Sequence, residues 1–471
     1  MRTSRRAATD AKPATRLFES NPPSPDQRRA AGKALRERVP RERHAEWKAS
    51  ARRPDPIEIL IASNRGRLPE LVPIRHARML TSPFAFLRGS AAVMASDLSR
   101  TPSTGIRVQA CGDCHLMNFG AFATPERQLI FSINDFDETL PAPWEWDLKR
   151  LAASFVVAGR YINLKEREAR AAAESAVRSY RRRMARYAEM RAFDLWYDHI
   201  DVEQVIASLP RAAQRRLGAR LEKARARSVV EHDFPKLAER SGRHPRIKHA
   251  PPLMFHLQQH QRKAARDNIL RALKMYRSTL DDHYRVLLDR FRLCDLAIKV
   301  VGVGSVGTRC MVALFMAAGD DPLFLQVKQA NASVLEPHAG KSAYANHGQR
   351  VVMGQRLMQS ASDMMLGWTV GRLFGCHYYV RQLRDMKVSA IVETMEPETL
   401  KVYGRLCGWT LAWAHARSGD PARIAGYLGK SDVFDQAMVE FASAYADQTE
   451  SDYELMREAA RAGRLEVAAI E

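Results

Sequence analysis

The sequence predicts an α+β fold, mainly helical, in which a strand-rich portion follows a helical one. Three observations predict it. Stretches such as residues 164–193 and 396–420 carry apolar residues at helical spacing with few breakers. Residues 295–395 instead set short apolar runs between glycine and proline turns, as strands do. Between residues 110 and 150 a polar loop, an apolar run and several carboxylates stand close together. At 471 residues, 46% of them hydrophobic, the chain suffices for two or three domains or one large two-lobed one. It divides into a basic tail over 1–53, expected to be disordered, a helical lobe over 54–294, a strand-rich lobe over 295–395 and C-terminal helices over 396–471 that pack on the helical lobe.

The net charge is +21, which favours acidic partners such as nucleotides, nucleic acid, anionic lipid or acidic protein. Residues 1–53 hold 15 Lys and Arg against 6 Asp and Glu, and residues 160–250 hold 22 against 12. These two stretches are the candidate surfaces for an acidic partner or nucleic acid, although a solvated basic face has the same composition. Six irregularly spaced cysteines do not make a disulfide framework. The positively charged N-terminus lacks an apolar run, and no stretch reaches the roughly 18 apolar residues of a transmembrane segment. A cytoplasmic protein is expected.

In chain order, residues 1–50 read as a disordered or loosely helical tail with a weak periodic segment near Ala30 to Leu35, and a short helix starts at Pro56. Arg88 sits among apolar residues just before a helix over Ala91–Leu98. It reads either as half of a buried ion pair or as a phosphate clamp, since a guanidinium fork fits phosphate oxygens. Next comes Ala110 to Arg150. Asp113 and Asn118 lie five apart in GDCHLMN, and the turn Thr124-Pro125 leads into a buried strand, Leu129 to Ile133. That strand delivers Asp135 and Asp137. Hard Mg2+ takes oxygen ligands and is usually held by one or two protein groups plus substrate phosphates. A separate carboxylate is needed to orient the attacking hydroxyl. Cys111-Gly112-Asp113-Cys114-His115 also matches the c-type haem pattern, but no export signal or second ligand pair accompanies it. Both cysteines read as small packing residues around a tight turn.

Asp113-x4-Asn118 resembles the catalytic loop of the protein-kinase-like superfamily, in the form used by aminoglycoside and choline phosphotransferases. Asp135 in Asn134-Asp135-Phe136-Asp137 resembles the metal-binding Asp of the kinase D-F-G, and Asp147 resembles the helix Asp that braces the catalytic loop from below. More closely, FAFLRGSAAVMASDL, CGDCHLMNFG, NDFDETLPAPWEWDLKRLA and YYVRQLRDMK resemble the bacterial family called domain of unknown function twenty-two fifty-two. That likeness covers most of the chain past about Pro54.

Downstream the texture changes. A strand from Asp295 is followed by Gly302-Val303-Gly304-Ser305-Val306-Gly307, a second strand from Thr308, a turn at Gly319 to Pro322 and a third strand ending at Lys328. A Rossmann site would need a helix directly after the glycines. Strand, glycine loop, strand, turn and strand ending in Lys instead resembles the phosphate-covering hairpin of kinases. Glycines let backbone N–H groups approach phosphates, and Lys328 adds a point charge. A surface hairpin with ordinary glycines would read similarly. The segment His377 to Leu383 resembles the strand leading to the adenine-contacting hinge, near Arg381.

Two departures from the kinase pattern stand out. No well-placed helix carries a Glu to orient Lys328; Glu336 is the nearest candidate, and the helix over 348–363 has none. The glycine loop also follows the catalytic motifs rather than preceding them, which implies a circularly permuted two-lobed kinase-like fold. Asp420 is a rival catalytic carboxylate, but it lacks an Asn five residues on and reads as a helix-end residue.

The resemblance implies an ATP- and Mg2+-dependent phosphotransferase acting on a small-molecule or protein acceptor. Asp113 would be the base or hydroxyl-orienting group, with His115 orienting it or capping the turn. Asn118 and Asp135 would hold Mg2+, and Asp137 would be a second ligand or structural. Gly302, Gly304, Ser305, Gly307, Lys328 and Arg381 would bind the nucleotide. The alternative is a non-catalytic nucleotide- or nucleic-acid-binding protein that uses its basic surfaces.

Overall fold

A computed structural model describes residues 22–207, 211, 214, 215, 218, 222, 234–241, 244–256, 259–300, 302–318, 320–371, 375–383 and 388–469. The fold is mixed α and β. Thirteen described strands carry the labels used below. They are β1 (Arg107–Ala110), β2 (Phe119–Ala123), β3 (Leu129–Ile133), β4 (Leu140–Pro143), β5 (Ala238–Ser241), β6 (His244–Ile247), β7 (Met254–Phe255), β8 (Arg292–Lys299), β9 (Cys310–Met316), β10 (Pro322–Ala330), β11 (Gly367–Gly371), β12 (Cys376–Gln382) and β13 (Val388–Ser389).

The tail is the first correction. A disordered or loosely helical tail was expected, yet Pro25–Arg38 is a full helix opened by a Ser24/Gln27 capping box. Its cations find partners far along the chain. Arg36 donates to the carbonyls of Tyr427 and Gly426, and Arg41 to Leu428, at the end of the helix Pro421–Leu428. Cations at a helix C-terminus are favoured by the unpaired carbonyls there. Arg53 then bridges Asp97 at 2.8 Å and Asp452 at 2.5 Å in a buried triad. The tail is polar because its partners are polar, and those lie several hundred residues away. Residues 1–21 lie outside the described residues.

Residues 107–143 fold as β1 paired with β4 and the hairpin β2–β3, to which β13 adds an edge. Helix Trp144–Tyr161 follows directly, and almost all of it is buried. It packs with Glu166–Tyr187, Pro397–Ser418 and Val433–Arg461 around the largest apolar cluster. The expected helical stretches 164–193 and 396–420 correspond to Glu166–Tyr187 and Pro397–Ser418. Small residues let two of them approach closely: a Cβ on Gly408 would lie 1.9 Å from the Ala176 carbonyl oxygen. Val202–Ala207 is a further short helix, and most of residues 208–233 lie outside the described residues.

The strand-rich portion is one antiparallel sheet, ordered β11-β12-β10-β9-β8-β7. The strand period sorts side chains by face. In β10, Leu323, Leu325 and Val327 enter the apolar layer with Tyr276 and Leu280 at the end of the helix Gln259–Ser278. Gln326 and Lys328 therefore emerge on the other face. Helix His347–Met358 packs against β10, β11 and β12.

Candidate functional site

A cleft of about 970 Å³ collects side chains from three separated segments, 63–92, 113–138 and 302–334. Asp113, His115, Asn118, Asp135, Asp137, Gly302, Gly304 and Ser305 all line it.

The loop after β1 is held from below. Both oxygens of the Asp147 carboxylate accept backbone amides, from Cys111 at 2.7 Å and Gly112 at 3.0 Å. His415, near the end of the helix Pro397–Ser418, reaches the same carboxylate at 3.3 Å and Tyr180 at 2.9 Å. Gly112 takes φ +81°, and a Cβ there would sit 2.4 Å from the Glu138 carbonyl oxygen, so glycine is required. This turn carries Asp113 to the cleft.

Asp113 is not alone. The Arg150 guanidinium grips its Oδ1 from Nε at 2.6 Å and Nη2 at 2.5 Å, and also donates to the Leu87 carbonyl. His115 caps the short turn that follows, with Nδ1 accepting the Met117 amide at 3.2 Å. Its Nε2 is 3.9 Å from Asp113. Burial pushes the His115 pKa down to about 4, so near neutrality the ring is uncharged and capping is its clear role. Asn118 donates through Nδ2 to the Asp113 carbonyl at 2.7 Å, which turns its amide oxygen away from that contact.

β3 ends at Ile133, and the chain delivers Asp135 and Asp137 beside Lys328 of β10. Lys328 Nζ lies 2.5 Å from Asp137 and 3.8 Å from Asp135. Burial alone would push the lysine pKa down, but the two carboxylates outweigh it and hold it well above its ordinary value. Asp137 also accepts from the Tyr379 hydroxyl at 2.8 Å and from Ser305 Oγ at 3.5 Å. Asp137, expected as a metal ligand or structural group, is thus the lysine's counter-ion. Glu336, the nearest sequence candidate for that part, instead accepts the Ser333 amide and lies 3.8 Å from His347. The helix His347–Met358, which carries no Glu, contributes Arg350 instead, which donates to the carbonyls of Thr139, Asp137 and Asn331.

The glycine loop closes the cleft from the far side. Arg78 donates to the Gly302 carbonyl, Arg67 to Val306, and the Leu68 amide to Gly307, so the loop is tied to residues 67–78. Gly307 takes part through that backbone bond rather than as cleft lining. Arg381 is the expected nucleotide contact that the structure leaves out of the cleft. It donates to Gln326 at 3.0 Å and to the Asn134 carbonyl at 3.2 Å. It lines a neighbouring polar cavity of about 690 Å³ with Asn134, Gln355 and Gln359. Asp420 caps the helix Pro421–Leu428 through the Arg423 amide, as a helix-end residue does.

Cys111 and Cys114 lie with Asp147 in a group whose ligand atoms approach within 4.8 Å of one another. The group does not fit a metal. It offers three ligand atoms, and both oxygens of Asp147 already accept backbone amides.

The sequence reading missed Arg150, Arg67, Arg75 and Tyr379 as parts of the site. Arg150 had a signal, since it follows Asp147 by three residues on one helix and so shares its face. The others are positioned only by the tertiary fold. A family model described as an uncharacterized protein conserved in bacteria (DUF2252) matches residues 67–459. No curated protein and no solved structure matches the chain.

Proposed function

The chain belongs to the bacterial DUF2252 family, and from that premise we propose that it is an ATP- and Mg2+-dependent phosphotransferase with a circularly permuted kinase-like fold, acting on a hydroxyl acceptor. One observation carries the reading: residues 302–305 of the glycine loop meet Asp113, Asn118 and Asp135 around one cleft, and the buried Lys328 pairs with Asp135 and Asp137 beside it, although well over a hundred residues of chain separate the two sets. The permutation gains support from His415. It brings the end of the helix Pro397–Ser418 onto Asp147 and so onto the loop that carries Asp113.

The residues divide the work. Asn118 and Asp135 offer an amide oxygen and a carboxylate, the hard donors that suit Mg2+. Bound there, the ion would neutralise phosphate charge and orient it for in-line attack. Lys328, kept charged by Asp135 and Asp137, binds phosphate oxygens, and the glycine loop covers them. Asp113, one oxygen fixed by Arg150, orients the acceptor hydroxyl by accepting its hydrogen bond. Arg150 keeps that carboxylate from drifting, a positioning role.

The test is Mg2+-dependent hydrolysis of ATP without added acceptor, followed by release of phosphate. Lys328→Met is expected to lower turnover about a hundredfold while leaving the circular dichroism spectrum unchanged. Full activity in that variant would remove the lysine, and with it the reading, from consideration.

A further inference from the structure

Arg67, Arg75 and Arg88 line the cleft, all three from its first segment, residues 63–92. Among the described residues, no carboxylate lies within ion-pair distance of any of the three. Arg75 is only 1% exposed and spends its guanidinium on the Asn64 side chain and the Gly89 carbonyl, with Nε buried and unbonded. Arg67 serves the carbonyls of Ser63 and Val306. Arg88 lies 5.7 Å from the centre of the Phe84 ring, and its buried Nε has no partner. The charges that act on Arg88 most strongly are those of Asp113 and Glu393, neither of them bonded to it. Burial pushes all three guanidinium groups below their ordinary pKa.

The carboxylates that act on Arg67 are Glu138 and Asp137, likewise unbonded to it, whereas Arg75 has none and is disfavoured further by the charge of Arg67. Burying a cation without a bonded counter-charge is costly. A fold that keeps them in one cleft is completed by an anion. Three cations suit a dianion, and guanidinium forks match phosphate oxygens. Position says which phosphate. Lys328 and the glycine loop serve the nucleotide side, and Arg67 also donates to that loop at Val306, whereas Arg88 is the member nearest the acceptor side: Asp113 is the carboxylate that acts on it most strongly, and Leu87, its neighbour, accepts from the Arg150 that grips Asp113.

We propose that Arg67, Arg75 and Arg88 form an acceptor subsite for a phosphate monoester, so that the acceptor is a hydroxyl compound already carrying one phosphate. The inference rests on the phosphotransferase reading. Transfer would form a bond between the acceptor hydroxyl oxygen and the γ-phosphorus, break the bond from that phosphorus to the β–γ bridging oxygen, and release ADP and a proton. The product would carry two phosphates.

The experiment titrates inorganic phosphate into the full-length protein by calorimetry, alone and with Mg2+ plus a non-hydrolysable ATP analogue. Wild type, Arg88→Gln, Arg67→Gln and Asp135→Ala are compared; two arginine variants keep the test readable should one fail to fold. The proposal expects phosphate binding in wild type, weakened about tenfold by either arginine change. It also expects binding to persist in Asp135→Ala and in the presence of the analogue. Displacement of phosphate by the analogue, with Arg88→Gln weakening the analogue equally, would assign the arginines to the nucleotide and overturn the proposal. Absence of phosphate binding at millimolar concentration would also overturn it. Phosphate binding without any nucleotide binding would instead refute the phosphotransferase reading, and the acceptor role with it, so the two failures are distinguishable.

Discussion

Asp135 and Asp137 stand two residues apart after one strand, yet their surroundings divide their tasks. Asp137 meets Lys328 and Tyr379; Asp135 lies farther from the lysine, at 3.8 Å. A residue outside the cleft tests the same electrostatic logic. Lys149 is fully buried, its Nζ unpartnered and 4.6 Å from the centre of the Phe441 ring. Burial pushes its pKa down to about 7, against a partial opposing pull from Glu145 one helical turn earlier. Below pH 7 the folded protein carries a buried cation. Between pH 7 and the ordinary lysine value near 10.5 the unfolded chain binds one proton more than the folded one, so stability rises with pH. Lys149→Met is therefore expected to stabilise the protein by about 1–4 kcal/mol at pH 6, and by less at pH 9. Urea unfolding at both values checks this, and a loss of stability at pH 6 would show that Lys149 acts as a working ion pair with Glu145. Asp113, Asn118 and Asp135 could be read directly, because a carboxylate-and-amide loop followed by an apolar run and more acids is a local pattern. The true partner of Lys328 was not legible, since Asp137 is reached only through the fold.

At the scale of elements, local spacing was enough even where an element is buried on nearly every side. Helix Trp144–Tyr161 begins at the tryptophan from which its apolar spacing starts, and β10 sorts Leu325 and Val327 from Gln326 and Lys328 by simple alternation. The bracing of the loop after β1 is the clearest element-level dependence. Asp147→Ala leaves the amides of Cys111 and Gly112 buried without acceptors, at about 1–3 kcal/mol for each unsatisfied group. A drop of about 3 kcal/mol in unfolding free energy is expected, with a still larger relative loss of ATP turnover because Asp113 moves with the loop. Unfolding and turnover measured on one preparation separate the two effects; unchanged turnover would mean that the loop holds its shape without the brace. Arg381 shows where element reading failed. The strand leading to it was legible, but its register turns the side chain to Gln326 and Asn134 instead of the cleft.

For the whole molecule, order along the chain and order in space differ. Residues 22–53 look like a solvated basic tail, but they are fastened to residues 420–452 by Arg28, Arg36, Arg41 and Arg53. No window of local sequence contains both halves of such a contact. Arg53→Ala would strand Asp97 and Asp452, both 2% exposed, without their counter-charge. It is expected to cost about 3–5 kcal/mol, a lower thermal midpoint being the readout; a neutral result would mean that water or other groups reach both acids. The glycine loop and the acidic loop likewise meet only in three dimensions, and the claim that they make one nucleotide site is central. The most direct measurement is calorimetric titration of ATP with and without Mg2+, on wild type and Asp135→Ala. Mg2+-dependent binding in wild type that is lost in the folded variant is the predicted result. Equal binding by both proteins, or none by either, would contradict it and turn attention to the basic surfaces.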